Sequence, residues 1–171
     1  QGSIIMMHKD LLIIDDFLSY DECDELVELY HDTDVIIEQE DNVWTGRGRW
    51  PTYTDVQKIK LKEKRKLLTQ DYFNKKLELS NLHMMVWEVG HEMTPHSDYG
   101  ASNEFPGRDY ASVIYLNEDY VGGDIYFPDL GVTHKPKKGQ LVSFHGGNTF
   151  HGVKRISEGT RFTNICWFQN V

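Results

Sequence analysis

The first half of the chain combines one short apolar run with two stretches of helical periodicity. Residues 11–14 are continuously apolar and have the length of a buried strand. Ser19 and Glu22 then match a capping box, which predicts a helix from about residue 20. A second, basic helix is predicted from about 55 to 77. Its predicted apolar side consists of Ile59, Leu67, Leu68, Tyr72, Phe73 and Leu77.

The segment between the two helices has a mixed pattern. Residues 35–37 predict a short strand, and residues 44–51, rich in glycine and arginine, predict a loop. The Lys and Arg residues that follow, at 58–66, are most simply a solvated helix face.

From residue 82 onward, short strand-like runs are separated by turns rich in glycine and proline. These runs lie at 82–89, 110–117, 124–127, 131–135, 140–145, 151–156 and 161–168. About seven strands after two helices predict a mainly β chain with N-terminal helices (α+β). The most economical architecture is a double-stranded β-helix, or jelly roll, braced on one face by the helices. We expect a single domain over residues 4–171, with residues 1–3 left by an expression tag.

Composition narrows the function classes. An apolar content of 39% is typical of a folded globular protein. A net charge of −9 argues against binding to a nucleic-acid backbone. Arg47, Arg49 and residues 58–66 nevertheless form a locally basic region. No apolar run has the length of a membrane span, and no signal peptide is apparent, so we expect no membrane partner. Cys23 and Cys166 are expected to be buried, unpaired residues in a reducing, cytoplasmic setting.

A His-x-Asp pair, His96 and Asp98, is the first candidate for chemistry. Side chains i and i+2 of an extended segment point to the same side, so the imidazole and the carboxylate would aim at one point. Joined by a second histidine, they would form the two-histidine, one-carboxylate set that suits non-haem Fe(II). The pattern alone is weak, because His8 and Asp10 repeat it before the first predicted strand.

The third ligand is expected on a late strand, since jelly-roll topology brings early and late strands together. The candidates are His134, His145 and His151. We favour His151, because it opens a predicted strand after a glycine-rich run, and His145 is the main alternative. His151 also stands ten residues before Arg161 across a tight turn, which predicts neighbouring positions in one sheet. Arginine offers a planar fork that binds a carboxylate bidentately. We expect His83, His91 and His134 to be surface or structural residues.

This set of residues in this order resembles the Fe(II)/2-oxoglutarate-dependent dioxygenase superfamily, in particular its prolyl 4-hydroxylase-like branch. Four further segments carry the resemblance, which covers nearly the whole chain after residue 3. Residues 13–23 resemble the strand–helix opening of the branch, and residues 87–98 resemble the approach to its first ligands. Residues 115–124 resemble its central strand and turn, and residues 161–167 resemble its last barrel strand.

The resemblance implies an enzyme that uses Fe(II), 2-oxoglutarate as cosubstrate and O2, with ascorbate as a reductant. His96, Asp98 and His151 would be the catalytic metal ligands, and Arg161 would anchor the C5 carboxylate of 2-oxoglutarate. The cosubstrate would be decarboxylated to succinate and CO2 as a substrate C–H bond is hydroxylated. Asp98 is retained where halogenating members have a small residue, which favours hydroxylation.

Three more residues are implied in cosubstrate binding. Tyr115 stands where a tyrosine hydroxyl commonly helps to bind the C5 carboxylate, and Thr163 would line the same pocket. Trp87 stands where a tyrosine that contacts the cosubstrate is common. An indole donates one hydrogen bond and accepts none, so Trp87 could only act as a donor.

The substrate that the resemblance implies is a proline in a peptide or protein. Two alternatives stay open at this point: a dioxygenase that acts on a free amino acid, another small molecule or a nucleobase, and a non-enzymatic jelly-roll binding module. The acidic balance argues against a nucleobase, and the intact ligand set with Arg161 argues against the module. Substrate choice is expected in loops 42–54 and 99–109, where Tyr99, Asn103 and Arg108 are candidate lip residues.

Overall fold

Two antiparallel sheets form the frame of the molecule, which a computed structural model describes over residues 2–34 and 48–171. The strands, in chain order, are β1 (Ile4–Ile5), β2 (Leu11–Ile14), β3 (Gly48–Arg49), β4 (Leu77–Trp87), β5 (Met93–His96), β6 (Tyr110–Tyr115), β7 (Ile125–Phe127), β8 (Val132–His134), β9 (Leu141–Phe144), β10 (His151–Val153) and β11 (Arg161–Asn170). Across the described residues, the larger sheet has the order β1-β2-β9-β6-β11-β4-β3 and the smaller sheet the order β5-β10-β7-β8.

Helices cover the outer side of the larger sheet. Helix α1 (Tyr20–Asp32) begins at the predicted capping box, in which Ser19 and Glu22 each accept a hydrogen bond from the other's backbone N–H. The second helical segment comprises α2 (Asp55–Lys58), a π-helical turn (Ile59–Lys64) and α3 (Arg65–Phe73). None of the described helices is long and apolar enough to cross a membrane.

The second helical segment differs from the prediction in its length and in its buried face. It ends at Phe73, because Asn74 adopts a left-handed conformation with φ of 50°, and Leu77 instead begins β4. Ile59 and Leu67 are 61% and 53% exposed. For Leu67 the π-helical turn gives the reason, because its wider winding changes the phase of the residues that follow it.

The same change of phase buries Arg65 and Thr69, neither of which was predicted to be inside. The interpretation of the basic stretch as a solvated face is therefore wrong for Arg65. Arg49, expected in a loop, lies instead in β3 and donates hydrogen bonds to the carbonyls of Tyr30 and Thr33 at the end of α1. The predicted strand at 35–37 and residue 47 lie outside the described residues.

The larger sheet separates two apolar cores. One core lies between the sheets and includes Tyr115, Phe127 and Phe144. The other lies between the helices and the larger sheet and includes Leu26, Leu61 and Ile114. β2 and β6 are buried along their whole length because they are covered on both faces, which explains why residues 11–14 form a continuous apolar run. Cys23 and Cys166 are buried and unpaired, as predicted. The fold is the predicted double-stranded β-helix braced by helices.

One topological prediction is wrong, and it concerns the candidate site. His151 and Arg161 do not share a sheet, because β10 belongs to the smaller sheet and β11 to the larger one. The turn between them carries the chain from one sheet to the other. His151 instead lies directly opposite His96 in the register of β10 and β5, and Arg161 lies opposite Trp87 in the register of β11 and β4.

Candidate metal centre and cosubstrate pocket

His96, Asp98 and His151 converge at the end of the smaller sheet. Asp98 Oδ1 lies 3.4 Å from Nε2 of His96 and 3.3 Å from Nε2 of His151. One ligand atom from each residue can be chosen so that all three lie within 4.8 Å of one another, and no other group of this kind occurs in residues 2–34 and 48–171. The side chain of His96 is 29% exposed, whereas those of Asp98 and His151 are 7% exposed, so the cluster opens to solvent on the His96 side.

Both histidines are held in the tautomer that a metal ligand requires. The Nδ1 atom of His96 lies 3.1 Å from the carbonyl oxygen of Thr94, and the Nδ1 atom of His151 lies 2.8 Å from that of Thr149. A carbonyl only accepts, so each Nδ1 carries a hydrogen, which leaves Nε2 as the ring nitrogen that can bind a metal. Such backbone partners orient a ligating imidazole before the metal arrives.

Asp98 is fixed as an ionised ligand. Burial alone would raise the pKa of its carboxyl, but the adjacent rings of His151 and His96 and the indole N–H of Trp167 reverse that effect and hold the pKa well below its usual range. The indole Nε1 of Trp167 donates to Asp98 Oδ2 over 3.0 Å, which leaves Oδ1 directed at the histidines. A Cβ at Gly146 would lie 2.1 Å from Oδ2, so this position requires glycine.

Trp167 is a functional residue that the sequence reasoning missed. Its indole is stacked on the ring of His83 at 5.2 Å, and the Arg108 guanidinium lies 4.4 Å from its ring. His83 stacks in turn on Trp50, and burial, followed by the nearby Arg108 and Arg65, lowers the pKa of His83 to about 4. The signal was available, because Trp167 shares the inward-facing alternation of β11 with Arg161.

The other histidines lie outside the cluster. His134 Nε2 lies 2.5 Å from Gln140 Oε1, and His145 Nδ1 accepts a hydrogen bond from the backbone of Asn148. His8 accepts one from the backbone of Asp10, as part of a local turn. Of the three late-strand candidates, the structure therefore brings only His151 to His96 and Asp98.

Arg161 lies deeper, on the inner face of the larger sheet. It is 3% exposed, and its guanidinium carbon lies 4.9 Å from the ring centre of Tyr115 and 5.4 Å from that of Trp87. No carbonyl or carboxylate among the described residues accepts a hydrogen bond from it, and its Nε is buried without a partner. A buried cation in this state leaves its donors available for an anion.

The remaining predicted pocket residues surround Arg161. Tyr115 lies opposite Thr163 in the register of β6 and β11. Within the described residues, the Tyr115 hydroxyl is buried and has no hydrogen bond of ordinary geometry. Burial raises its pKa to about 12, against the opposing effect of the adjacent Arg161, so it is a neutral donor. The Thr163 hydroxyl already donates to the Met85 carbonyl over 3.2 Å, which leaves its oxygen as an acceptor. Tyr120, a residue not singled out from the sequence, adds a second buried hydroxyl without a partner.

These donors fit the groups that the sequence implies. Two imidazole nitrogens and one carboxylate oxygen form the facial set that binds non-haem Fe(II) with positions left open. The buried and incompletely paired guanidinium, with two neutral hydroxyls, fits one carboxylate with two oxygens. The site therefore has both parts that Fe(II) and a dicarboxylic 2-oxo acid would need.

In comparison with known sequences, the part of the chain that matches a known family contains His96, Asp98, His151 and Arg161. The model of a family described as the 2OG-Fe(II) oxygenase superfamily matches residues 80–169. Human prolyl 3-hydroxylase 2 is 37% identical over 67 residues, which cover 36% of this chain and 10% of the human protein. Mouse prolyl 3-hydroxylase 3 is 41% identical over 66 residues, which cover 35% of this chain and 9% of the mouse protein. The chain spans about a tenth of the length of these curated relatives.

Solved structures agree on the fold. The viral collagen prolyl hydroxylase of Paramecium Bursaria Chlorella virus-1, in complex with 2OG, superposes with a TM-score of 0.71 at 19% identity, over 95% of this chain and 96% of that one. A Pseudomonas putida prolyl-4-hydroxylase gives a TM-score of 0.66 at 19% identity, over 95% of this chain and 93% of that one. At this identity the likeness establishes the fold alone.

Proposed function

The chain belongs to the 2OG-Fe(II) oxygenase superfamily, and from that premise we propose that it is an Fe(II)- and 2-oxoglutarate-dependent dioxygenase that hydroxylates proline in a peptide or protein. One observation carries the proposal. The His96, Asp98, His151 cluster and a buried arginine without a carboxylate partner among the described residues both border the core between the two sheets. In that core the ring of His151 lies 4.5 Å from that of Phe144, and the Arg161 guanidinium carbon lies 4.9 Å from the ring centre of Tyr115. The family uses Fe(II), 2-oxoglutarate and O2.

His96, Asp98 and His151 would hold the iron. When bound, the metal with 2-oxoglutarate and O2 supplies the oxidising power to insert one oxygen atom into a C–H bond, as 2-oxoglutarate becomes succinate and CO2. The protein's own contribution is orientation. Thr94 and Thr149 orient the two imidazoles through their carbonyls, and Trp167 holds Oδ2 of Asp98 so that Oδ1 faces the histidines.

Arg161 and Tyr115 would bind the distal carboxylate of 2-oxoglutarate. Both are almost completely buried, so the interaction would form away from water, where charge-assisted hydrogen bonds are strong. Trp87 covers the guanidinium on one side and would exclude water from the pocket. The exposed edge of His96 leaves the substrate side of the cluster open.

Proline is proposed as the target because of the named relatives. Curated relatives that match the chain are prolyl 3-hydroxylases, and similar solved structures include prolyl hydroxylases. Residues 4–171 would form the catalytic domain, and its cytoplasmic location stays a prediction.

The test is succinate production with matched peptides. Fe(II)-loaded protein is incubated with 2-oxoglutarate, O2 and ascorbate, together with a panel of proline-containing peptides or the same peptides with alanine in place of proline. We expect succinate release and a gain of one oxygen atom on proline for at least one peptide, and neither with its alanine counterpart. Fragmentation of the product gives the ring position.

The control variant is His96→Ala, which removes one proposed ligand. It should release no succinate above background. Succinate release by wild type that no proline peptide stimulates would contradict the prolyl assignment and favour a small-molecule substrate. If wild type binds neither Fe(II) nor 2-oxoglutarate, the enzyme proposal itself is wrong.

A further inference from the structure

We propose that Tyr120 is a third donor to the distal carboxylate of the cosubstrate and helps to select a dicarboxylic 2-oxo acid. The inference rests on the proposed function and deepens it. Tyr120 is in the segment between β6 and β7, outside the strands that carry Tyr115, Thr163 and Arg161. It would therefore close the pocket from a different direction.

The first observation is the state of the Tyr120 hydroxyl. Tyr120 is 5% exposed, and no described atom forms a hydrogen bond of ordinary geometry with its hydroxyl. Leaving a buried hydroxyl unpaired is costly, so native proteins rarely do it without a ligand or water at that place. The tyrosine ring alone would pack equally well as phenylalanine, so the hydroxyl calls for a function.

The second observation is its location beside Arg161. A Cβ at Gly123 would meet Tyr120 Cε2 at 2.9 Å and Arg161 Cδ at 3.0 Å, so both side chains rest against this glycine. Burial raises the pKa of Tyr120, and the guanidinium of Arg161 acts in the opposite direction, as it also does on Tyr115. Both hydroxyls thus lie within electrostatic reach of the same cation and of each other.

The third observation is that Tyr120 is held rigidly. The ammonium of Lys135 lies 3.9 Å from the centre of the Tyr120 ring. Lys135 also donates hydrogen bonds to the carbonyls of Tyr120 and Gly122, over 3.1 and 2.7 Å. Lys135 therefore clamps the ring and the backbone of the same residue, which fixes the direction of the hydroxyl at little entropic cost on ligand binding.

The chemistry of a carboxylate explains why three donors are useful. Its two oxygens offer about four acceptor positions, and a bidentate arginine occupies two of them. The hydroxyls of Tyr115 and Tyr120 would satisfy the others. Because both tyrosines stay protonated at neutral pH, they would add hydrogen bonds to the anion without adding charge.

The test compares Tyr120→Phe with wild type for two ligands that differ only in the distal carboxylate. 2-Oxoglutarate and 2-oxopentanoate are titrated anaerobically into the Fe(II)-loaded protein, and binding is followed by calorimetry. We expect Tyr120→Phe to weaken 2-oxoglutarate binding by about tenfold, the usual effect of one hydrogen bond to a charged group. Binding of 2-oxopentanoate should stay within about twofold of wild type.

A stability measurement separates this role from a structural one. Without ligand, Tyr120→Phe should melt at or above the wild-type temperature, because it removes a buried unpaired hydroxyl. The increase in melting temperature caused by 2-oxoglutarate should shrink. An equal loss for both ligands, or no loss for 2-oxoglutarate, would overturn the assignment of Tyr120. Failure of wild type to bind 2-oxoglutarate would instead overturn the proposed function.

Discussion

Two buried arginines lie on opposite faces of the larger sheet, and they differ in how their guanidinium groups are satisfied. Arg65, on the helix side, is fully buried. It donates to the side chains and carbonyls of both Ser112 and Asn164, and to the Leu61 carbonyl. Arg161, on the inner side, has no carbonyl or carboxylate acceptor among the described residues. Neither forms an ion pair within those residues.

The difference separates a structural cation from a binding one. Burial lowers the pKa of Arg65 to about 10, so it stays charged at neutral pH, and the protein supplies its hydrogen bonds in advance. Its role is therefore to join α3 to β6 and β11. Arg161 is also buried, but no carbonyl or carboxylate of the described residues accepts from it, which leaves its guanidinium for the anion that the proposed function requires. Burial alone does not distinguish these roles, whereas the acceptors around the guanidinium do.

The largest expected effect is the loss of stability in Arg65→Met. Removing this guanidinium leaves the buried acceptors of Ser112 and Asn164 unpaired, so we expect the free energy of unfolding in urea to fall by about 3–5 kcal/mol. Arg65→Lys keeps the charge, so its free energy of unfolding should fall by less. This variant replaces Arg65→Met in the measurement if Arg65→Met does not fold. A loss within the error of the measurement would show that Arg65 is not structural.

Arg161→Met should have the opposite profile. We expect 2-oxoglutarate to bind at least about 100-fold more weakly, because the main partner of its distal carboxylate is gone. The unfolding free energy should stay within about 1 kcal/mol, since few protein hydrogen bonds are lost. Arg155→Met is the matched control, because this arginine is 65% exposed and should affect neither quantity. Retained binding in Arg161→Met would remove the distinction between the two arginines.

A pH series on metal-free protein tests the ring stack next to the metal centre. His83 has its pKa lowered to about 4, mainly by burial, so the unfolded chain takes up a proton below about pH 6.5 that the folded protein does not. The contribution of neutral His83 to the stability of the fold is therefore fully present above pH 6.5 and is lost as the pH falls towards 4. Between pH 6.5 and pH 4 the free energy of unfolding of wild type should thus fall by on the order of 2 kcal/mol more than that of His83→Phe. Parallel curves for the two proteins would contradict a neutral, buried His83.

The smallest expected effect is on metal affinity in Trp167→Phe. Phenylalanine keeps a ring in the stack but cannot donate to Asp98 Oδ2, so we expect Fe(II) to bind about tenfold more weakly in the absence of any substrate. Competition with a metal-sensitive dye under anaerobic conditions measures this. Leu79→Ala in β4 is a suitable control because its side chain is 41% exposed. Unchanged affinity in Trp167→Phe would show that the indole does not position the ligand.

Much of the site could be predicted because the resemblance to a known superfamily named its residues, and strand alternation then explains why they share a face. The inward positions of β11 include Arg161 and Thr163, and their partners in register, Trp87 and Tyr115, were predicted with them. The turn between β10 and β11 carries the chain from the smaller sheet to the larger one. This could not be predicted, because a turn of the same length can also join two neighbouring strands of one sheet as a hairpin. The metal-ligand and cosubstrate roles of these residues are themselves predictions that the experiments above test.

Other features depended on tertiary structure. The burial of Arg65 follows from the π-helical turn, which no residue pattern in 59–64 signals. Tyr120 and Trp167 were overlooked because an aromatic residue in a barrel is usually core packing. Strand alternation places Trp167 on the inward face, but it takes the hydrogen-bond state of the polar atoms to distinguish both residues from ordinary core residues.

The most direct test of the account is an anaerobic titration of 2-oxoglutarate into protein with and without Fe(II). We predict one molecule of 2-oxoglutarate per chain, with tight binding only when Fe(II) is present and Arg161 is intact, and with binding unaffected in folded Arg65→Lys. Binding that is equally tight without the metal or in Arg161→Met would contradict the account, as would no binding at all.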